Sequence, residues 1–340
     1  MAVLTSRWPI SWKACAWPSG TRGQVVTWWA WKTMKKTALS TVIASLFCAT
    51  PALAWNNFGH MTVAAVAYEQ LTPSARKKAV ALLKLNPAYP DWVTNVPEQE
   101  RDLVAFVTAA TWPDAIKKRG SGYVDDGENP ATAVATKNEG YADNLQHRYW
   151  HYIVVPFAPD GTPLKQPMVP NAKTQISLFR AALASSTTSD DLKSYDLVWL
   201  LHLVGDVHQP LHCTSRFDRD QPNGDRGGNL VALCARPCRS ELHALWDDIL
   251  GTRTDPESAI RKAAKLDAPD PRLAAVKNEQ TWIDESFQAP KTSVYIDPTG
   301  VGAGPFKVAA EYRKQARTVA AERVALAGAR LANVLNAALK

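Results

Sequence analysis

The stretch from Leu200 to His212 reads Leu-Leu-His-Leu-Val-Gly-Asp-Val-His-Gln-Pro-Leu-His. It closes a run whose apolar residues recur at helical spacing, and His202 and Asp206 lie four residues apart on another face of the same predicted helix. Pro210 breaks this helix because proline lacks the N–H that the helical ladder needs. One helix end therefore offers an imidazole, a carboxylate and, at His212, a second imidazole.

The same pairing occurs again downstream. His243 and Asp247 also lie four residues apart, on what the pattern predicts to be a second helix. A single pair of this kind is more often structural than metal-binding. Two such pairs favour a metal site, because imidazole and carboxylate are usual zinc ligands. Of the seven histidines in the chain, we place five in one site.

The first 54 residues are predicted not to belong to the folded protein. A basic start at Met34, an apolar run over 38–47 and a small-residue motif ending at Ala54 indicate a signal peptide over 34–54. Residues 1–33 hold six of the thirteen tryptophans and no acidic residue, which favours an over-extended start site over a basic N-terminal arm. The mature domain is then 55–340, and we expect a periplasmic or secreted protein.

The charge of the chain changes once this leader is removed. The full sequence carries a net charge of +7, and the leader holds six basic residues and no acids, which leaves +1. Overall basicity is therefore no argument for nucleic-acid binding. We find no transmembrane segment after the leader and no linker or repeat, so a single large domain without a membrane anchor is expected.

The three cysteines beyond the leader are Cys213, Cys234 and Cys238. In an oxidising compartment two of them should pair. Either Cys234 and Cys238 close a short loop, or Cys213 takes part.

The fold class expected from the pattern is all-α, with a small strand pair in a loop. A polar loop over 213–239 is preferred to a calcium site, with a strand-like 230–233, and an extended segment is predicted over 150–155. Basic residues on the last helix are expected on a solvated face. The predicted helices are 62–70, 73–86, 98–110, 171–183, 190–207, 271–287 and 306–339.

The predicted mature start offers further ligands. A free amine at Trp55 forms a chelate with its own carbonyl, and His60 could complete a site around it. The alternative is that His60 only caps the following helix. Asp114 places another carboxylate at a helix break, after Trp112-Pro113.

Together these motifs resemble the single-strand-specific, trinuclear-zinc nucleases of secreted fungal type, with plant and bacterial relatives and, more distantly, the zinc-dependent phospholipases C. The likeness covers essentially the whole mature chain. The motifs in order are Trp-x-x-x-Gly-His, Trp-x-Asp, Trp-His-Tyr-Ile, Gly-Asp-x-His-Gln-Pro-Leu-His, Asp-Arg-Gly-Gly-Asn and Glu-Leu-His-x-x-Trp-Asp.

The resemblance implies three Zn²⁺ per chain in a cleft of a helical domain. Closely spaced zinc ions can supply a hydroxide, neutralise phosphoryl charge and assist a leaving alkoxide. The implied ligands are Asp114, His151 and His202 for one ion, Trp55 and His60 for a second, Asp206 bridging these two, and His212, His243 and Asp247 for the third.

The resemblance also implies the substrate contacts. Lys117 and Asn229 would bind the scissile phosphate, and Tyr152 would stack on a base or pack in the core. Val154 replaces an aspartate that hydrogen-bonds a base in fungal members, so we expect metal binding to be retained and base preference to differ. The implied activity is hydrolysis of single-stranded DNA and RNA to 5′-phosphate products, with possible 3′-nucleotidase activity, by a monomer. The alternatives are a zinc-dependent phospholipase C and a non-catalytic periplasmic zinc-binding protein.

Overall fold

The computed structural model describes residues 55–129, 137–235 and 240–340. The predicted leader and upstream extension lie outside these residues. The expected all-α class is confirmed. The helices are α1 Asn57–Glu69, α2 Pro73–Leu83, α3 Tyr89–Trp92, α4 Arg101–Ala109, α5 Trp112–Ala115, α6 Ala172–Ala184, α7 Asp190–Asp206, α8 Leu242–Asp247, α9 Pro256–Ala263, α10 Pro271–Ala274, α11 Glu279–Ser293 and α12 Ala310–Ala338.

Helix α7 forms the centre of the fold. Ser189 caps it by accepting a hydrogen bond from the Leu192 N–H at 3.3 Å, and two aspartates in its first turn suit the positive end of the helix dipole. Its residues from Ser194 to Asp206 are all buried, because α1, α2, α5, α6 and α12 pack around it. His202 and Asp206 therefore face the protein interior and not solvent.

Helix α1 begins earlier than the sequence pattern predicted, at Asn57. Its cap is Asn56, whose side-chain oxygen accepts a hydrogen bond from the Gly59 N–H at 3.1 Å. The interpretation of His60 as a helix cap is therefore wrong. Helix α1 packs closely on α12 at Gly328, where a Cβ would lie 2.5 Å from the Val66 Cβ.

The strand pair is parallel and very short, with β1 at Pro156–Phe157 and β2 at Ser215–Arg216. The expected pair is confirmed, but its place differs from the strand predicted over 230–233, where Ala232 forms an isolated bridge with Glu241. Hydrogen bonds extend the pairing beyond the strands, from the Ile153 N–H to the His212 carbonyl at 2.9 Å. The segments that follow two predicted ligands, His151 and His212, are thereby held side by side.

The sequence pattern predicted that the basic residues of α12 face solvent. Two of them do not. Arg330 is fully buried and Arg323 is nearly so. Both reach Glu285 on α11, and Arg330 donates to it at 2.7 and 2.8 Å. Partners on a neighbouring helix make this burial possible. Within the described part of the chain, no helix has the length and apolarity needed to cross a membrane.

Candidate metal centre

The two side chains that α7 contributes meet at its C-terminal end. The His202 Nδ1 lies 2.7 Å from the Ala110 carbonyl oxygen. A carbonyl only accepts, so Nδ1 carries the proton and Nε2 keeps its lone pair. That Nε2 lies 3.4 Å from the Asp206 Oδ2. The four-residue spacing therefore produces the geometry expected from the sequence.

Asp114 and His151 join this pair from distant parts of the chain. The Asp114 Oδ1 lies 3.6 Å from the His202 Nε2 and 3.9 Å from the His151 Nδ1. The His151 Nδ1 also lies 3.0 Å from the His202 Nε2 and 3.2 Å from the Asp206 Oδ2. The three residues expected to hold one zinc, and the residue expected to bridge, thus converge on one point.

His60 approaches the same point from α1. Its ring stacks on His202 with centroids 3.7 Å apart, and its Nε2 lies 3.4 Å from the Asp206 Oδ1. The two Asp206 oxygens therefore face different imidazoles, as a bridging carboxylate requires. Trp55 is fully buried beside this group, and its Cδ1 lies near Gly205.

His212, His243 and Asp247 form a second group. Both imidazoles have Nδ1 against a backbone carbonyl: His212 at 2.7 Å from the His151 oxygen, His243 at 2.6 Å from the Gly227 oxygen. Their Nε2 atoms face each other at 3.1 Å, and the His243 Nε2 lies 3.5 Å from the Asp247 Oδ2. Gly227 has φ +63°, and a Cβ there would lie 2.4 Å from the Leu211 carbonyl oxygen. Only glycine places its carbonyl there without displacing the backbone.

The separations in both groups match those between ligands of one zinc ion. Zinc binds nitrogen at about 2.0–2.1 Å in tetrahedral geometry, so two of its ligand atoms stand roughly 3.3 Å apart. Within the described residues, both Asp206 oxygens, both His60 ring nitrogens and the His151 Nε2 are buried without a hydrogen-bond partner. Buried polar atoms are nearly always satisfied. The donor set therefore fits zinc, with nitrogen and carboxylate oxygen ligands and no thiolate.

Burial controls the protonation of these side chains. It lowers the pKa of His202 to about 4 and holds the pKa of His60 and His151 well below the ordinary value, with neighbouring positive groups adding to the effect. Burial raises the pKa of Asp206 and of Asp247 well above the ordinary value. Burial therefore favours the neutral form of these three imidazoles, which is their ligating form. The two carboxyls need a cation to be stable as carboxylates.

Asp114 behaves differently from the other two carboxyls. Burial acts to raise its pKa, but the Lys117 ammonium, 2.6 Å away, outweighs it and holds the pKa below the ordinary value. Lys117 is itself buried at the edge of the cluster.

A cavity of about 610 Å³ opens beside the second group. His212 and His243 line it, together with Tyr152, Val154 and Asn229. Two of the expected substrate residues, Tyr152 and Asn229, therefore share the cavity with expected ligands, whereas Lys117 does not line it. Tyr152 is half-buried, and its hydroxyl donates to the Glu128 carbonyl at 2.5 Å. The Asn229 amide nitrogen donates to the Arg226 carbonyl at 2.7 Å. The Tyr152 ring thus both packs in the fold and faces the cavity.

Comparison with known proteins agrees with this geometry. The family model described as S1/P1 nuclease matches residues 55–340. The chain belongs to the S1/P1 nuclease family. Endonuclease 4 and endonuclease 5 of Arabidopsis thaliana are 32% and 33% identical to it over 72 residues, which is 20% of this chain and 22% of each relative. The chain thus matches about a fifth of the length of these curated relatives.

One residue of this family member escaped the sequence analysis. The Gln209 Nε2 donates to the Asp247 Oδ1 at 2.6 Å, and its Oε1 accepts from the Leu211 N–H at 2.5 Å. Gln209 therefore orients the carboxylate of an expected ligand. The signal was its place between two expected ligands, where a fully buried glutamine needs partners.

The cysteines are only partly described. Cys213 is a free thiol and is buried, with Sγ 3.3 Å from the Val207 carbonyl. The alternative in which Cys213 forms a disulfide is therefore wrong. Cys238 lies outside the described residues, so its pairing with Cys234 stays a prediction.

Proposed function

We propose that this protein is a zinc-dependent nuclease that binds three Zn²⁺ and hydrolyses single-stranded DNA and RNA to 5′-phosphate products, with 3′-nucleotidase activity. One observation carries the proposal. His212 and His243 both commit Nδ1 to a carbonyl and point their Nε2 lone pairs at each other across 3.1 Å. With the Asp247 Oδ2 3.5 Å from the His243 Nε2, the three side chains have the spacing of ligands to one zinc ion.

The ligand assignment keeps the three sets expected from the sequence, with Asp206 shared between two of them. Zinc bound by these residues would supply a nucleophilic water at neutral pH and would neutralise phosphoryl charge. The protein holds the imidazoles in one tautomer through the Ala110, His151 and Gly227 carbonyls. The cluster is thus arranged before substrate binds, and no ligand has to reorganise during the reaction.

The proposed substrate residues contact different parts of the nucleic acid. The Lys117 ammonium donates a hydrogen bond to a non-bridging phosphate oxygen, and the Asn229 amide nitrogen donates another to the scissile phosphate. The Tyr152 ring stacks on a base, which is possible only when the base is splayed out of a duplex. Stacking therefore gives a preference for single strands without recognition of the identity of the base. Val154, which lines the same cavity, offers no hydrogen bond to a base.

We further propose that the chain is exported, cleaved after Ala54, and acts as a monomer, with Cys234 and Cys238 paired. Cleavage creates the Trp55 amine, which then joins His60. The metal cluster would be complete only in the exported protein.

Two preparations test the proposal, one starting at Trp55 and one carrying a single residue before it. We expect the first to hold about three zinc and to cut single-stranded DNA, and the second to hold about two and to lose activity. Equal zinc and equal cutting would refute the amine ligand. Tight zinc binding with no hydrolysis would instead indicate a zinc-binding protein, and hydrolysis of phosphatidylcholine in preference to DNA would indicate a phospholipase C.

A further inference from the structure

Asn56 makes an unusual number of contacts for the second residue of the proposed mature chain. Its amide nitrogen donates to the Asp248 Oδ1 and to the Gly251 carbonyl, both at 2.7 Å. Its amide oxygen caps α1 by accepting from the Gly59 N–H. Its backbone N–H donates to the Asp247 carbonyl at 3.3 Å, and its carbonyl accepts from the His60 N–H at 3.1 Å.

These contacts join two halves of the metal centre. Helix α1 carries His60, and α8 carries His243 and Asp247. This one residue, Asn56, makes hydrogen bonds to both helices. A shift of α8 relative to α1 would break the bonds of Asn56, so this residue fixes the relative position of the two ligand groups.

Asn56 also holds the residue before it. A chain terminus is normally mobile unless other contacts hold it. Here the Trp55 side chain is fully buried, with its Cβ packed where Gly59 lacks one, and Asn56 holds the backbone on the other side of the peptide bond.

We infer that Asn56 is a positioning residue for zinc, which holds the first residue of the chain and His60 in register with the Asp247 end of α8. This inference rests on the proposed function. Residues that orient metal ligands through one hydrogen bond typically contribute 10–100-fold to metal affinity or activity, and we expect a value in that range.

The substitution Asn56→Asp separates this role from helix capping. Aspartate is as good a cap as asparagine, so the bond to the Gly59 N–H is kept. It cannot donate to the Gly251 carbonyl, and its charge repels the Asp248 carboxylate. The second change Asp248→Asn restores one bond in the opposite direction, because the new amide can donate to the new carboxylate.

The experiment uses the mature chain loaded with zinc and measures the rate at which a chromogenic chelator removes each ion. We expect Asn56→Asp to release one zinc at least about 10-fold faster than wild type. The double variant Asn56→Asp/Asp248→Asn should recover much of the slow release. The metal-free protein should melt at a somewhat lower temperature in Asn56→Asp, because the bond to Gly251 is lost and two carboxylates meet at Asp248, and the double variant should recover part of that loss.

Asn278→Asp is the matched control. Asn278 is an exposed cap of α11 that accepts from the Thr281 N–H at 3.2 Å, so the same chemical change is made away from the metal centre. Unchanged zinc release in Asn56→Asp would overturn the inference, as would faster release that the double variant does not slow. A lower metal-free melting temperature with normal zinc release would reduce Asn56 to a structural role. A wild-type chain that binds no zinc would overturn the proposed function itself.

Discussion

Two buried polar clusters lie next to each other at the C-terminal end of α7, and they differ in how their polar atoms are satisfied. The first, the metal cluster, consists of His60, Asp114, His151, His202 and Asp206. The second, the arginine cluster, consists of His208, Glu285, Ser286, Arg323 and Arg330. His208 follows Asp206 by only two residues, so the two clusters share one stretch of chain.

The arginine cluster is satisfied from within the protein. Arg330 donates to both Glu285 oxygens, to the Leu273 carbonyl and, at 3.0 Å, to the His208 Nε2. The His208 Nδ1 donates to the Val204 carbonyl at 2.7 Å. Each donor meets an acceptor, which is the usual condition of a buried ion pair.

In the metal cluster, Lys117 lies 2.6 Å from the Asp114 Oδ1, but no such donor reaches Asp206 among the described residues. The Asp206 oxygens face imidazole nitrogens at 3.2–3.4 Å without a hydrogen bond. The comparison shows that a buried histidine near an acid is not by itself a metal site. What distinguishes the metal cluster is that, among the described residues, both Asp206 oxygens and both His60 ring nitrogens are buried without a hydrogen-bond partner.

The largest effect should come from Asp206→Asn. It keeps the shape of the side chain but removes the carboxylate that we propose two zinc ions share, so we expect kcat/KM on single-stranded DNA to fall by about 10³-fold or more. Zinc per chain should fall with it. The metal-free protein should not lose stability, because the change removes a buried carboxyl whose pKa is raised by burial. A large loss of metal-free stability would contradict the description of this cluster as a cation site.

Arg330→Met should have the opposite effect: it should lower stability and leave zinc binding unchanged. Breaking a buried ion pair typically costs about 3 kcal/mol or more, because the partner charge is left uncompensated. We expect that loss in the free energy of unfolding by urea, with zinc per folded chain unchanged. Arg317→Met, an exposed arginine on the same helix, is the control.

The same variant has a pH signature. Burial acts to raise the pKa of Glu285, but the bonds and charge of Arg330 and Arg323 outweigh it and lower the pKa. A lowered carboxyl pKa stabilises the fold above the unfolded-state pKa of about 4.3, and this contribution is lost as the pH falls through the folded-state pKa. The difference between wild type and Arg330→Met should therefore be full at pH 7 and smaller near pH 3.

Gln209→Leu tests whether the hydrogen bond from Gln209 to Asp247 contributes to zinc binding. Losing the donor to the Asp247 Oδ1 should cost about 10–100-fold in zinc affinity or activity. Chelator competition and steady-state kinetics would measure it. Gln175→Leu, another buried glutamine but on α6, should leave zinc affinity unchanged. Equal effects of the two changes would mean that only packing is involved.

The smallest effect should come from His147→Asn, four residues before His151. The His147 Nε2 lies 2.8 Å from the Asp143 Oδ2, and its Nδ1 lies 3.4 Å from the Asp126 Oδ2. Burial acts to lower its pKa, but the two aspartates outweigh it and raise the pKa. Asparagine tolerates the left-handed backbone, φ +46°, that position 147 adopts.

A raised histidine pKa stabilises the fold fully below the unfolded-state value of about 6.5, and the contribution is lost as the pH rises through the folded-state pKa. We expect His147→Asn to cost about 1 kcal/mol of unfolding free energy at pH 5 and less at pH 9. Zinc content should not change at either pH. A loss of zinc would place His147 with the metal cluster.

Much of the fold and of the site was predictable because it depends on neighbours in sequence. Helical periodicity defined α7, and four-residue spacing placed Asp206 beside His202 and Asp247 beside His243. The burial of Arg323 and Arg330 was not predictable, because their partner Glu285 belongs to another helix. The position of β2 was missed because its pairing is with a segment about 60 residues away.

The sequence by itself determined the helical class, the identities of the candidate ligands and the order of the family's motifs. Tertiary structure alone decided that His60, Asp114 and His151 meet the end of α7, and that three backbone carbonyls hold the protons of His202, His212 and His243. The physical reason is the separation along the chain over which each interaction acts. Helix formation and capping act over a few residues. Bringing the ring nitrogens of His151 and His202, or of His212 and His243, to about 3 Å from each other requires several packed elements, because these residues are remote along the chain.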